Sequence, residues 1–112
     1  MQKTEKPARS DETRSTSVQL HGVLVRVLDT GVLLTGESGI GKSEAALDLI
    51  VRGHKLVADD AVRISVVGES LVGTPPDLTR DLLEIHGLGI INVREVFGEV
   101  AVCDESEIDL SI

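Results

Sequence analysis

The chain has 112 residues, of which 41% are apolar, and this is enough for one modest domain with an aliphatic core. Its net charge is -8 and Phe97 is its single aromatic residue, which argues against nucleic acid, acidic membranes and base stacking as binding modes. Its one cysteine, Cys103, excludes an internal disulfide. Since the sequence has neither a long apolar segment nor a secretory signal, we expect a cytoplasmic protein without a membrane span.

The first 17 residues are polar and charged, which predicts a disordered tail, because such a segment buries too little apolar surface to offset the cost of ordering. From Val18 onwards the composition changes. Residues 20–28 are rich in β-branched side chains and predict a strand, residues 29–31 predict a turn, and residues 32–35 predict a second strand. We therefore expect one domain over residues 18–112.

An eight-residue segment then fits the pattern G-x-x-x-x-G-K-[ST] of the phosphate-binding P-loop. It consists of Gly36, Glu37, Ser38, Gly39, Ile40, Gly41, Lys42 and Ser43. Glycines let the backbone curl around an anion, and the amides of the loop and of the following helix point at phosphate oxygens. We expect Lys42 to reach the β- and γ-phosphates and the Ser43 hydroxyl to ligate Mg²⁺. The alternative is a glycine-rich turn between a strand and a helix.

The segment after the motif alternates between helical and strand patterns. A helix is predicted over residues 42–52 and is ended by Gly53, and strands are predicted over residues 55–58 and 61–67. The turn signal at residues 68–70 predicts a hairpin with a returning strand at 71–72, followed by a loop at 73–77. Residues 78–85 fit a short helix and then a strand, although their periodicity does not decide this. A loop is expected at residues 87–89, a short helix at 93–97, and strands at 100–102 and 108–112. The fold class is α/β, a P-loop-containing mixed sheet with few helices.

Three acidic residues are candidates for chemistry. Asp59 and Asp60 follow a predicted strand, and ligands of open α/β sheets bind at the carboxyl ends of strands. One of the two is a candidate to hold Mg²⁺ and the other to act as a base, while the alternative is a solvated turn. Glu84, inside an apolar run, is either a second metal-directed carboxylate or an outward strand residue. His21 begins the first strand, where a lone histidine is more often a packing or surface residue.

Four sequence blocks are informative together. In chain order they are HGVLV from His21, GESGIGKSE from Gly36, RGHKLVADD from Arg52 and LLEIHGLGIINV from Leu82. Together they resemble the C-terminal catalytic domain of HPr kinase/phosphorylase, over about residues 20–112. The resemblance implies a bacterial enzyme that uses ATP and Mg²⁺ to phosphorylate a serine of the phosphocarrier protein HPr. It also implies the reverse reaction, phosphorolysis with inorganic phosphate, and a role in the regulation of carbohydrate metabolism. The family's nucleotide site is related to that of phosphoenolpyruvate carboxykinase. Members of the family work as hexamers, so the resemblance also implies a homo-oligomer.

The resemblance also implies roles for individual positions. Lys42 matches the phosphate-binding lysine, and Ser43 and Glu84 match Mg²⁺ ligands. Asp60 matches the residue that takes the serine proton and returns it in the reverse reaction, with Asp59 beside it. His21 matches an active-site histidine. Residues 83–92 match the segment implicated in both reactions.

Two departures from the family pattern lead us to expect impaired activity. Position 86 is His where the family usually has Arg, and histidine is mostly neutral at pH 7 whereas arginine is a permanent cation. The family's domain also continues beyond the position of Ile112, with a further catalytic arginine and a loop needed for dephosphorylation. The alternative functions are a P-loop nucleotide-binding module or sensor without catalysis, and a small-molecule kinase of carboxykinase type.

Overall fold

The computed structural model describes residues 17–37 and 41–112. Apart from Ser17, the tail expected over residues 1–17 therefore lies outside the described residues. Within the described ranges the chain forms ten strands and two α-helices, joined in places by 3₁₀ turns. These are β1 (Val18–His21), β2 (Val23–Val27), β3 (Thr30–Leu34), α1 (Lys42–Val51), β4 (Lys55–Ala58), β5 (Ala61–Val67), β6 (Ser70–Thr74), a 3₁₀ turn (Asp77–Thr79), β7 (Leu82–Ile85), β8 (Gly89–Asn92), α2 (Val93–Phe97), a 3₁₀ turn (Glu99–Ala101), β9 (Ser106–Glu107) and β10 (Leu110–Ser111).

The strands of the described residues form three sheets. The first sheet has the order β1-β5-β6-β9 and is antiparallel throughout. The second sheet has the order β10-β3-β2-β4, in which β10 runs parallel to β3 and the other pairs are antiparallel. The third is the hairpin of β7 and β8. The expectation of a mixed α/β fold is confirmed at this level, whereas the complete P-loop is not, because residues 38–40 lie outside the described ranges.

The second sheet lies between two apolar layers, since alternate residues of its strands point to opposite faces. On β2, Val23 and Val25 belong to the cluster that contains Ala46 and Ile50 of α1. Leu24, between them, belongs to the cluster shared with the first sheet. Full burial of an aliphatic side chain contributes about 1.5–3 kcal/mol to stability, so this three-layer packing is the main source of stability. It also fixes the start of α1 against one end of β2 and β4.

The strand predicted over residues 20–28 is wrong in one respect, because the chain changes sheets at Gly22. β1 pairs with β5 of the first sheet, and β2 pairs with β3 and β4 of the second. A Cβ at Gly22 would lie 2.8 Å from the Leu34 carbonyl oxygen, so the chain passes close to β3 at the break. A single glycine within a strand-like segment does not reveal this break in the sequence. The strand also ends at Val27, because Leu28 adopts a φ of 58° in the following turn.

The central part of the chain agrees with the sequence patterns. Helix α1 covers Lys42–Val51, one residue shorter than predicted, and Gly53 follows with a φ of 103°. Strands β4 and β5 have the predicted bounds, and β5 and β6 form the expected hairpin. The loop expected at residues 73–77 begins later, since β6 continues to Thr74. Residues 78–85 resolve into the end of a 3₁₀ turn and then β7.

The predictions for residues 100–112 are only partly correct. A 3₁₀ turn occupies Glu99–Ala101, and Val102 makes an isolated bridge with Leu56 instead of belonging to a strand. The strand predicted over residues 108–112 is reduced to β10. Ile108 lies between β9, which pairs with β6, and β10, which pairs with β3, and it packs into the core. The chain therefore moves from the first sheet to the second here as well.

Cys103 also packs, partly buried, against the cluster between the two sheets, as a small core residue would. No helix of the described residues combines the length and apolar character needed to span a bilayer.

Candidate functional site

A cavity of about 540 Å³ lies where β1, the end of β4, β7 and the first turn of α1 meet. This volume falls within the range of small-molecule sites. Polar and charged side chains supply most of its wall. The lining residues are His21, Val23, Gly41, Lys42, Ser43, Glu44, Asp59, Asp60, Glu84 and His86.

This cavity brings together most of the site residues expected from the sequence. His21, Lys42, Asp59 and Asp60 line it, as do Gly41 and Ser43 from the end of the motif and Glu84 from the hairpin. Gly36 and Glu37 do not line it, but their carbonyl oxygens accept hydrogen bonds from the Lys42 ammonium at 2.9 and 2.8 Å. Ser38, Gly39 and Ile40 lie outside the described residues.

Gly41 and Lys42 bring the chain into helix α1 at the wall of the cavity. Gly41 is the N-cap residue and has a φ of 94° and a ψ of 18°, a left-handed conformation that glycine adopts without steric cost. The first backbone amides of α1 lack partners within the helix, and the positive end of the helix dipole lies at this end. This end of α1 is therefore suited to an anion.

Asp59 is the buried acid of the site, with a relative exposure of 4%. Its Oδ1 accepts a hydrogen bond from the Ser43 hydroxyl at 2.9 Å, and its Oδ2 accepts one from the Glu84 backbone amide at 2.9 Å. Burial raises the pKa of Asp59 above its ordinary value, while these hydrogen bonds act in the opposite direction. Asp59 thus connects the first turn of α1 with β7.

Asp60 differs from its neighbour in exposure and in its side-chain contacts. Its side chain is 68% exposed, and its Oδ1 lies 3.4 Å from Nδ1 of His21. Asp60 has a φ of 71°, which is uncommon for a residue other than glycine, and it occupies the sharp turn in which the Ala61 amide bonds to the Asp59 carbonyl at 2.8 Å. This turn directs one carboxylate into the protein and leaves the next one accessible.

The hairpin supplies the remaining wall. Along β7, Leu83 and Ile85 are buried, whereas Glu84 and, just beyond the strand, His86 are exposed and line the cavity. The strand alternation makes Glu84 an outward residue, and its place in the cavity leaves it available to a ligand. Glu44 also lines the cavity, although it was not among the expected site residues. Its position in the first helical turn after the motif was the signal that could have identified it.

The oxygen donors of the cavity suit magnesium. No group of three His, Cys, Asp or Glu side chains within residues 17–37 and 41–112 has the geometry of a metal site. Mg²⁺, however, is usually held by one or two protein oxygens together with substrate phosphates and water. The Ser43 hydroxyl and the Asp59 and Glu84 carboxylates are hard oxygen donors on one cavity wall, so the residues present fit this ion.

Comparison with known proteins gives three consistent results. Residues 12–112 match the family described as HPr Serine kinase C-terminal domain. The HPr kinase/phosphorylase of Lachnoclostridium phytofermentans is 54% identical over 96 residues, which cover 85% of this chain and 31% of that relative. The Hpr(Ser) kinase/phosphatase from Coxiella burnetii superposes with a TM-score of 0.81 at 40% identity, over 84% of this chain and 57% of that structure's chain. The chain therefore spans only part of the length of these relatives.

Proposed function

The chain belongs to the HPr Serine kinase C-terminal domain family, and from this premise we propose that it transfers the γ-phosphoryl group of ATP to a serine of the phosphocarrier protein HPr. The observation that carries the proposal is the cavity in which the first turn of α1, Lys42, Asp60 and Glu84 come together. Phosphoryl transfer asks a protein mainly for positioning, charge neutralisation and a base for the hydroxyl. This cavity contains a group for each of these tasks.

Asp60 is the base of the proposed reaction. Its exposed carboxylate takes the proton of the serine hydroxyl as the serine oxygen forms a bond to the γ-phosphorus and ADP leaves. His21, 3.4 Å away, orients this carboxylate in the cavity. In the reverse direction inorganic phosphate attacks the phosphoserine, Asp60 returns the proton to the serine oxygen, and pyrophosphate leaves.

Lys42 and the start of α1 hold the nucleotide in this proposal. The Lys42 ammonium and the amides of the first helical turn supply positive charge and hydrogen-bond donors for the phosphates. We propose the segment 36–43 as the nucleotide-binding segment of the chain. The Ser43 hydroxyl and the Glu84 carboxylate would hold Mg²⁺, which would supply positive charge to neutralise the phosphates.

The proposed setting follows from the same premise. HPr is the acceptor, the reaction takes place in the cytoplasm, and it serves the regulation of carbohydrate metabolism. A homo-oligomer is part of this proposal, since a hexamer is the family's assembly.

A kinase assay tests the proposal. The chain is incubated with ATP, Mg²⁺ and HPr, and phosphoserine in HPr is measured by mass spectrometry. Transfer that is lost in the Asp60→Asn variant supports the proposed function. Turnover of ATP with a small hydroxyl compound but not with HPr would instead indicate a small-molecule kinase.

A nucleotide-binding module without catalysis is the second candidate function. It is favoured by His86, which lines the cavity at a position where the family usually has the permanently charged, fork-shaped arginine. ATP binding by isothermal titration calorimetry together with no phosphoserine in HPr, at any concentration of chain tested, would establish this second function.

A further inference from the structure

Asp59 contacts both elements that carry the candidate magnesium ligands. Its Oδ1 accepts the Ser43 hydroxyl hydrogen at 2.9 Å, and its Oδ2 accepts the Glu84 backbone hydrogen at 2.9 Å. Ser43 belongs to the first turn of α1, and Glu84 lies within β7. A single carboxylate at the end of β4 therefore connects elements that are 16 and 25 residues away in the sequence.

Among the residues that the structure describes, none contacts the Glu84 side chain through a hydrogen bond or an ion pair. Glu84 is also exposed. On either side of it, Leu83 and Ile85 are buried in the core. The bond to Asp59 holds the backbone of β7 at Glu84 itself, so it sets the point from which the Glu84 side chain extends into the cavity.

The burial of Asp59 makes its hydrogen bonds important for keeping its carboxylate in place. With 4% relative exposure, an ionised carboxylate depends on its hydrogen bonds, because it has lost nearly all of its contact with water. Each oxygen has one donor outside the Asp59–Ala61 turn, and hydrogen bonds to a charged acceptor are stronger than neutral ones. A carboxylate has two equivalent acceptor oxygens, so it serves both donors without rearrangement.

We propose that Asp59 is a positioning residue: through its two oxygens it holds the Glu84 backbone of β7 next to the Ser43 hydroxyl of α1. The two adjacent acids then have different roles. Asp59 sets where the Glu84 side chain begins relative to Ser43, and the exposed Asp60 is left for proton transfer. The role of magnesium in this inference rests on the proposed function. The contact between Asp59 and Glu84 does not, and it is testable without nucleotide.

The first experiment uses the unmodified chain. In a ¹³C,¹⁵N-labelled sample without nucleotide, the hydrogen bond predicts a scalar coupling between the Glu84 amide nitrogen and the Asp59 carboxylate carbon. We also expect the Glu84 amide to exchange slowly with solvent hydrogen. Absence of the coupling together with fast exchange at Glu84 would overturn the proposal, and this measurement does not depend on whether any variant folds.

The second experiment compares two variants of Asp59. Asp59→Ala removes both acceptors, and we expect the Glu84 amide to exchange about tenfold faster or more, since a hydrogen bond to a charged group is lost. Asp59→Asn keeps one acceptor oxygen, and we expect it to restore much of the protection. The amides of Leu83 and Ile85 are internal controls, because alternate residues of β7 direct their amides towards β8. Equal Glu84 exchange in all three proteins would contradict the proposal.

The third measurement concerns magnesium. Calorimetry measures how the binding of a non-hydrolysable ATP analogue depends on Mg²⁺. We expect Asp59→Ala to weaken the apparent Mg²⁺ affinity by about tenfold or more, because loss of a residue that orients a metal ligand has an effect of this size. Asp48→Ala, on the exposed face of α1, is the matched control and should leave it unchanged. Faster Glu84 exchange with unaltered Mg²⁺ affinity would overturn the positioning role. Failure of the unmodified chain to bind magnesium and nucleotide would contradict the proposed function, while the exchange data would still decide whether Asp59 holds Glu84.

Discussion

His21 and Asp60 approach each other from different parts of the fold, with Nδ1 of the histidine 3.4 Å from Oδ1 of the aspartate. His21 ends β1, and Asp60 lies in the turn between β4 and β5. Both side chains are accessible from the cavity, with exposures of 46% and 68%. An accessible carboxylate beside an imidazole is suited to proton transfer with a bound hydroxyl group, and this arrangement leads to the first prediction.

Asp60→Asn should lower the rate of phosphoryl transfer to HPr by about 10²–10⁴-fold, because the amide cannot accept the serine proton. The affinity for ATP should stay close to that of the unmodified chain. The measurement is phosphoserine formation at saturating ATP, alongside ATP binding by calorimetry.

Asp48→Asn is the matched control for this substitution, since Asp48 is exposed, pairs with Arg52 just after α1 and does not line the cavity. It should leave the transfer rate unchanged. A fully active Asp60→Asn variant would remove Asp60 from the proposed role.

Lys42→Ala should weaken ATP binding by about tenfold or more, since a charge-assisted contact to phosphate is lost. Folding should persist, because in the structure the Lys42 ammonium bonds only to exposed carbonyl groups of Gly36 and Glu37 among the described residues. Lys55→Ala is the control, because the Lys55 ammonium bonds to the Val100 carbonyl and lies outside the cavity lining. If both variants bound ATP equally well, the phosphate-binding role of Lys42 would be wrong.

The raised pKa of Asp59 predicts a pH dependence of stability. A carboxyl group whose folded pKa exceeds its unfolded value stabilises the fold at low pH, and this contribution is lost as the pH rises from about 3.8 through the folded pKa. The free energy of unfolding of the unmodified chain, relative to that of Asp59→Asn, should therefore fall across this window. Urea unfolding in magnesium-free buffer from about pH 4 to about pH 7 measures it. A difference that is constant or rises with pH would contradict the prediction.

Leu24→Ala should destabilise the fold by about 2–5 kcal/mol, because Leu24 is 0% exposed between the first and second sheets and its truncation leaves a cavity there. Leu78→Ala is the matched control, since Leu78 is 92% exposed, and its effect should stay within about 0.5 kcal/mol. Denaturant unfolding followed by circular dichroism compares them. Similar losses at the two positions would contradict the assigned core.

The sequence predicts best the elements that local patterns define. Helix α1 follows from its apolar spacing and from Gly53, and the β5–β6 hairpin follows from the turn signal at residues 68–70. Spacing within the chain does not reveal a change of sheet, since only the single residue Gly22 separates the segments that form β1 and β2. For the same reason the pattern over residues 108–112 conceals the passage of Ile108 into the core between β9 and β10.

The candidate site shows the same limit. The acidic pair at 59–60 is visible in the sequence, but its division into a buried and an exposed carboxylate is not, because this depends on the turn at Asp60 and on the approach of β7. Glu84 is ambiguous in the sequence for a related reason. Its position in the cavity depends on the packing of the hairpin against α1, which is a contact between segments far apart in the chain.

The chain leaves the first sheet at Gly22 and returns to it after Asp60, and these two crossings are joined by a hydrogen bond of 3.1 Å from the Gly22 amide to the Asp60 carbonyl. His21 and Asp60 consequently lie where the chain crosses between the first and the second sheet, and not in the middle of either sheet. Because His21 pairs with Ala61, next to Asp60, both residues follow the first sheet, so a shift of this sheet relative to the second would move them together relative to Lys42. Substitutions of buried residues between the two sheets should therefore displace His21 and Asp60 from Lys42 before they unfold the protein.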